Sequence, residues 1–266
     1  SSDTDDQVDF KAGGTDGLSL TASTATFNGG ITANGDIVLT DGDDIIANTS
    51  DGSDNATIAI AGGGANSDGR GGRIRLNGNE VSSVGGTVDI GAGNVSTGQV
   101  TFLTGATTRM TISADGEVTK PSQPMASARP TNSVADITGD GTLAYLGNSI
   151  GATERFDVGG CFSNDGMLFI APVTGKYLLC GQFTFSGLAS NHTASYFALV
   201  TSNQTYYPLY GAELDTVSYL GTFGTAFSII ADMDANDSAQ LAVQVYGGSK
   251  VVDATTATFL TGMLLA

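Results

Sequence analysis

The chain has 266 residues, with 27 Asp and Glu against 10 Lys and Arg, a formal charge of −17. That balance argues against a nucleic-acid partner, since neutralising phosphates takes clustered basic side chains, and against docking on an anionic bilayer. No apolar run reaches the ~20 residues that span a bilayer as a helix, so membrane insertion is not expected.

Residues 1–120 differ in composition from the rest. They hold 22 of the 38 glycines, none of the five prolines or eight tyrosines, and three of the twelve phenylalanines (Phe10, Phe27 and Phe102), so side chains able to build a core are scarce. The N-terminal SSDTDDQVDF has no signal-peptide pattern and no initiator Met; a processed end, with any anchoring region upstream, is expected. Short β-branched pieces recur at 36–40 (DIVLT), 56–60 (ATIAI), 73–76 (RIRL), 87–90 (TVDI), 100–103 (VTFL) and 109–112 (RMTI). Turn pairs such as Asn34-Gly35, Asp41-Gly42, Asp51-Gly52, Asn77-Gly78 and Asp115-Gly116 separate them. One copy of such a segment buries too little apolar area to offset the entropy of ordering it. Three copies wound together would share a core, as repeat architectures do. The region is therefore read as a glycine-rich, repetitive β stem, intertwined as a trimer. A disordered Gly/Ser/Thr/Asp linker is the alternative, and the regular Ile, Val and Thr weigh against it.

KPSQPMASARP at 120–130 carries three prolines and marks a boundary, leaving 121–266 as a second domain. Its central stretch is 169–178, FIAPVTGKYL, inside a longer apolar run from 156 to 185. Pro172-Val173-Thr174-Gly175 reads as a turn. Beyond it Tyr177, Leu179, Gly181, Phe183 and Phe185 alternate with Leu178, Cys180 and Gln182, and neither set is plainly polar. Such a strand is predicted to be covered on both faces, one inside a two-sheet sandwich and the other against a second subunit. Further strands are predicted at 194–200, 206–209, 225–230, 239–246 and 258–265. No stretch has helical periodicity with caps, so the fold class is all-β.

Phe169, Ala171, Pro172, Gly175 and Tyr177, spaced F-x-A-P-x-x-G-x-Y, resemble the signature of the complement-C1q-like jelly roll, the family that includes the tumour-necrosis-factor-like trimers. Asn236-Asp237 followed by AQLAVQV resembles that family's turn and penultimate strand, with Asn where the family has Gly. TFLTGMLL at 258–265 resembles its closing strand. In the first region, TRMTISADGEV at 108–118 resembles a short repeat of bacteriophage tail fibres. QPMASA at 123–128 and TGDGT at 138–142 resemble the opening of C1q-like phage fibre heads. Together these resemblances imply a ten-stranded C1q/TNF-like jelly-roll head on a homotrimeric fibre. Such a protein would be made in the host cytoplasm, sit on the virion surface beside other virion proteins, and bind a host-surface glycan or protein through its head. A capsid decoration or fibre-assembly protein with a purely structural head is the alternative, and a polysaccharide depolymerase is a third.

The binding surface is expected at the apex of the head. Counting strand directions back from the closing strand places loop 247–255 there, with Ser249, Lys250 and Asp253. The same count assigns to the apex loop 201–205, with Asn203 and Gln204, and with Tyr206 and Tyr207 just inside it. Tyrosine gives rigid area with a polar tip, and Asn, Gln and Ser give adaptable hydrogen bonds. Three copies would add avidity. The turn at 232–237 is assigned to the base. Its Asp232, Asp234 and Asp237 are candidate calcium ligands, set against a plain solvated turn because the EF-hand spacing is absent. No other cofactor is expected. The acidic DGDD at 41–44 is read in the same way. His192, the single histidine, is read as a solvated loop residue, and Cys161 and Cys180 as reduced, with Cys180 in the core. No G-x-S-x-G elbow occurs, and the glycines at 62–64 and 69–72 lack the Lys and helix start of a phosphate loop, so no enzyme is expected.

Overall fold

The computed structural model describes residues 36–39, 44–47, 49–147, 150–163, 166–213 and 221–266, with the side chains of all but 212, 213 and 221. The pairs Asn34-Gly35 and Asp41-Gly42, with Thr40 and Asp43, lie outside the described residues. Two compact units are present, Ser1–Ile58 with Leu76–Thr87, and Ala59–Arg75 with Val88–Ala266. No helix among the described residues is long and apolar enough to cross a membrane.

β1 (Thr57–Ala61), β2 (Arg73–Asn77) and β3 (Val88–Gly91) form one sheet in that order. Along β2 the alternation is inverted relative to an ordinary surface strand. Arg73 is ion-paired with Asp68, and Arg75 with Asp89 at 3.1 Å, while Ile74 and Leu76 of the other face lie exposed. β4 (Val100–Thr104), β5 (Thr107–Ile112) and β6 (Val118–Thr119) form a second sheet. Gly105 and Ala106 join β4 to β5 with φ of 53° and 61°, the left-handed pair whose twist suits a hairpin. The TRMTISADGEV motif is the hairpin of β5 and β6. Ser113 organises its turn, since its Oγ accepts the Glu117 N–H at 3.1 Å and donates to the Glu117 carboxylate. That hydroxyl contact, with a backbone bond behind it, holds the Glu117 carboxyl below its usual range. Five of the six pieces expected as strands in this region are strands, whereas 36–39 pairs with nothing described.

The rest of the chain is a sandwich. Its strands are β7 (Met125–Pro130), β8 (Val134–Thr138), β9 (Leu143–Tyr145), β10 (Ala152–Val158), β11 (Phe169–Ile170), β12 (Gly175–Leu188), β13 (Ala194–Thr201), β14 (Thr205–Glu213), β15 (Gly221–Met233), β16 (Ser238–Val245), β17 (Val252–Ala254) and β18 (Phe259–Leu264). One sheet runs β10-β7-β18-β12-β17-β8, with β15 also pairing β12; the other runs β11-β16-β13-β14, with β9 pairing β16. Taking β7, β11, β12, β13, β14, β15, β16 and β18 as first to eighth, the sheets read 1-8-3-6 and 2-7-4-5. That order is the double Greek key of an eight-stranded jelly roll. Four further short segments bring the described strands after residue 124 to twelve rather than ten, because β8, β9, β10 and β17 are added at the margins.

The core lies between the two sheets. Phe169, Tyr177, Leu179, Phe183, Phe185, Phe197, Leu241, Val243 and Leu260 are fully buried there. The FIAPVTGKYL stretch builds one end of it. Phe169 meets Phe162 and Tyr177 edge-on at 5.7 Å, and the Tyr177 hydroxyl donates to Val173 O at 2.8 Å across the turn. Gly262 stands opposite Leu179, and a Cβ there would come within 2.4 Å of the Phe169 ring. Asn236 has φ of 74°, so asparagine fills the glycine-like position expected of it.

Two buried groups differ from expectation. His192 is fully buried: Nδ1 accepts the Ala189 N–H at 2.9 Å and Nε2 lies 3.3 Å from Ser249 O. A short loop folded back beneath 247–249 explains this. Both cysteines are free, but Cys161 is the fully buried one, and Cys180 lies half-covered on the outward face of β12.

Candidate functional site

The outward face of the sheet formed by β9, β16, β13 and β14 carries a groove of about 280 Å³. Register builds it. Ala198 of β13 sits opposite Ala242 of β16, and Tyr145 of β9 pairs with that same Ala242, so small side chains form the floor. On the same face Tyr196 lies opposite both Gln244 and Tyr210. Tyr207 and Tyr246 complete walls that use five of the chain's eight tyrosines. Antiparallel neighbours on one pleated face hold these side chains together.

The rings brace one another. Tyr246, Tyr196, Tyr210 and Tyr207 form a chain of edge-to-face contacts, with centroids 5.9, 4.8 and 5.1 Å apart and planes at 79°, 77° and 85°. Near-perpendicular rings leave faces and edges alternately open along the groove. Tyr210 is 70% exposed and Tyr207 52%, so the walls stand in solvent.

The TGDGT turn fixes one end. Thr138 Oγ1 donates to Thr142 O at 2.6 Å and accepts the Val245 N–H at 2.9 Å, tying the turn to β16. Gly141 has φ of 89°, and a Cβ there would touch the Tyr246 ring at 3.0 Å, so glycine lets an edge of that ring come close to the turn. Gln244 donates its side-chain N–H to Gly141 O at 2.7 Å, which leaves its carbonyl oxygen as an acceptor. Asp140 takes the Thr142 N–H at 3.0 Å and is held below the usual carboxylate range by Thr142, so the turn is anionic at neutral pH.

The residues expected at one apex are divided between two ends. The chain enters the sandwich at Pro124, whose O accepts the Leu264 N–H at 3.0 Å, and Ala266 O beside it accepts the Lys176 N–H at 2.8 Å. Loop 201–205 lies at this near end, because Asn203 Nδ2 donates to Asp237 Oδ2 at 2.7 Å and Ser202 N to Ser238 O at 2.9 Å. Loop 247–255 lies at the far end, with Gly248 N on Gly139 O and Asp253 Oδ1 accepting the Asp136 N–H at 2.9 Å. Three strands, β14, β15 and β16, separate the two loops, and an odd number of crossings reverses the end. The shared apex is thus corrected.

Each residue then has its own place. Ser249 and Lys250 are exposed at the far end, and Asp253 anchors the loop there. At the near end Gln204 is exposed, and Tyr206 is half-buried against the core. Tyr207 alone of the seven reaches the groove; with Gln204 and Tyr206 it also lines a second cleft between β14 and β15.

The acidic turn is occupied by the protein itself. Asp232 Oδ2 is 2.6 Å from Lys176 Nζ, Asp237 Oδ2 accepts the Asp234 N–H at 2.8 Å, and Asp234 lies 3.5 Å from the Thr174 hydroxyl. No group of three or more His, Cys, Asp or Glu among the described residues could hold a metal ion.

No protein-family model matches the chain, and no curated protein matches it. Among solved structures it is similar to murine APRIL, at 13% identity over 54% of this chain and 99% of that one, with a TM-score of 0.36. It is also similar to the globular domain of zebrafish complement 1qA, at 11% identity over 54% of this chain and 98% of that one, with a TM-score of 0.33. What makes the head a jelly roll is its own strand order.

Proposed function

We propose that the chain is a homotrimeric fibre protein of a virus particle whose C1q-like head recognises a host-cell surface without catalysing a reaction. The observation that carries the recognition role is the braced tyrosine groove, an open concave surface of rigid aromatic area with polar tips. The inverted strand β2 supports the trimer: Arg73 and Arg75 each have an ion-pair partner within one chain while Ile74 and Leu76 stand bare, as a strand would be if other copies covered it. The outward face of the sandwich sheet that contains β12 points the same way. Ile230, Leu178, Met263 and Met125 succeed one another across β15, β12, β18 and β7 on one face, with Cys180 and Thr261 beside them. The viral setting rests on the fibre-like hairpin at 108–118 and the TGDGT opening of the head.

That apolar face also favours a second reading, in which the head only nucleates trimerisation of a capsid or fibre component. Adsorption separates the two. Purified chain should sediment at about three times its 26.8 kDa mass and deplete from solution onto host cells. A trimer that binds particles but no cell would leave only the structural role. Release of reducing sugar from a surface polysaccharide would overturn the non-catalytic reading.

A further inference from the structure

We propose that the tyrosine groove is a binding site for a neutral pyranose ring, the exposed sugar of a surface glycan. The inference rests on the recognition role proposed above and names its ligand class. Three features of the groove select that chemistry.

The first is shape. A volume of about 280 Å³ lies at the small end of ligand sites, enough for one or two sugar rings and too little for a folded peptide segment. The alanine floor, Ala198 opposite Ala242, sets the depth, and the rings on either side set the width.

The second is the aromatic faces. A tyrosine ring is electron-rich over its face, and the axial C–H bonds of a pyranose carry small positive charge, so the two meet face to face. Rings locked edge-to-face by their neighbours lose little freedom when a ligand arrives. The phenol hydroxyls, the Gln244 carbonyl and Thr205 then offer donors and acceptors to sugar hydroxyls.

The third is charge. No Lys, Arg or His lines the groove, Asp140 of the adjoining TGDGT turn has its charge faced by Lys250, and the whole chain carries −17. A phosphate, sulfate, sialate or uronate would find no cation in the lining and would approach a chain of strong negative charge. The site therefore selects against acidic sugars.

The chain has no tryptophan, so its intrinsic emission is that of tyrosine, and five of the eight tyrosines lie in the groove. The test titrates the intact chain with the methyl glycosides of glucose, galactose, mannose and N-acetylglucosamine, and with glucuronate and galacturonate. At least one neutral glycoside should change the emission saturably, with a Kd of about 1 mM per site, and the uronates should bind about tenfold more weakly or not at all. Tyr210→Ala, at an exposed position, should weaken binding about tenfold with unchanged melting temperature and mass. Ala198→Leu, which raises the floor, should do the same. The proposal is overturned if none of the four glycosides saturates by about 100 mM, if Tyr210→Ala binds like the parent, or if a uronate binds as tightly. A fall in oligomer mass in Tyr210→Ala would make the groove a contact between copies and also overturn it. Adsorption to host cells is scored separately. If Tyr210→Ala loses the sugar yet adsorbs normally, the groove is not the receptor site and the recognition role stands. Sugar binding without adsorption supports the groove and ends the recognition role.

Discussion

Residues 36–125 and 126–266 both form β-strands, yet among the described residues the first region fully buries no apolar side chain and the second contains the whole core. Ile60, Val88 and Ile90 are open to water in a chain whose Phe183, Phe185 and Phe197 are fully enclosed. Both regions pair backbone groups in strand ladders. Only the second adds the burial that offsets the entropy of ordering a chain. Hydrogen-bonded strands alone do not make an independently stable unit. Within one chain the first region leaves its apolar side chains largely uncovered, and the second covers its own.

The largest test removes what the head supplies itself. Phe183→Ala deletes a fully buried ring packed on Phe185, Phe197 and Phe227 and should cost about 3–5 kcal/mol, seen as a fall in the denaturant midpoint of the head. An unchanged midpoint would mean that the aromatic cluster is not the head's main support. Next comes the first region. Ile74→Asp would alter stability by only about 0.5 kcal/mol if that side chain met water alone. If other copies cover it, three buried carboxylates should lower the mass read by light scattering below that of the parent. A variant that keeps its mass would leave the first region without a shared core.

Smaller effects sharpen the boundary of each region. Gly262→Ala should cost about 1–3 kcal/mol in the head, because its methyl meets the Phe169 ring edge. The melting temperature reads this directly, and no fall would mean that Phe169 can retreat. The smallest effect is in the β5–β6 hairpin. Its Glu117 carboxyl is held low by Ser113, so the contribution is present at neutral pH and is lost as pH falls through that lowered value. Glu117→Gln should therefore differ slightly from the parent at pH 7 and not at all in strong acid, followed by hydrogen exchange at Val118 and Thr119. A difference that grew with acidity would reverse the assigned sign.

The sequence disclosed what depends on local periodicity. Tyr177, Leu179, Phe183 and Phe185 alternate in one strand, and the structure buries all four. The hairpin at 108–118 was legible because Asp115-Gly116 supplies a turn at a positive φ of 90° for Gly116. The groove was not legible, because it depends on the register of four strands drawn from residues 143 to 246. Tyr145, Tyr196, Tyr210 and Tyr246 look unrelated along the chain. Their one local signal is that 196, 198 and 200, like 242, 244 and 246, share a strand face. The division of the loops between two ends follows from the three strands, β14, β15 and β16, that separate them. His192 is in a loop by sequence, and only the fold shows that the loop packs beneath 247–249.

Cys161 gives the sandwich a clock. It has no exposed surface, and burial, with the charge of Asp157 second, pushes its thiol up to about 11. Cys180 is raised by burial alone. Alkylating reagents attack thiolates, so at neutral pH the folded head presents almost none at Cys161 and shields the sulfur as well. Reaction at Cys161 must wait for the strands around it to part, and its rate counts those openings. An iodoacetamide time course on the native chain, with no introduced label, would therefore read how often the head breathes, and would show whether assembly or a bound sugar slows it.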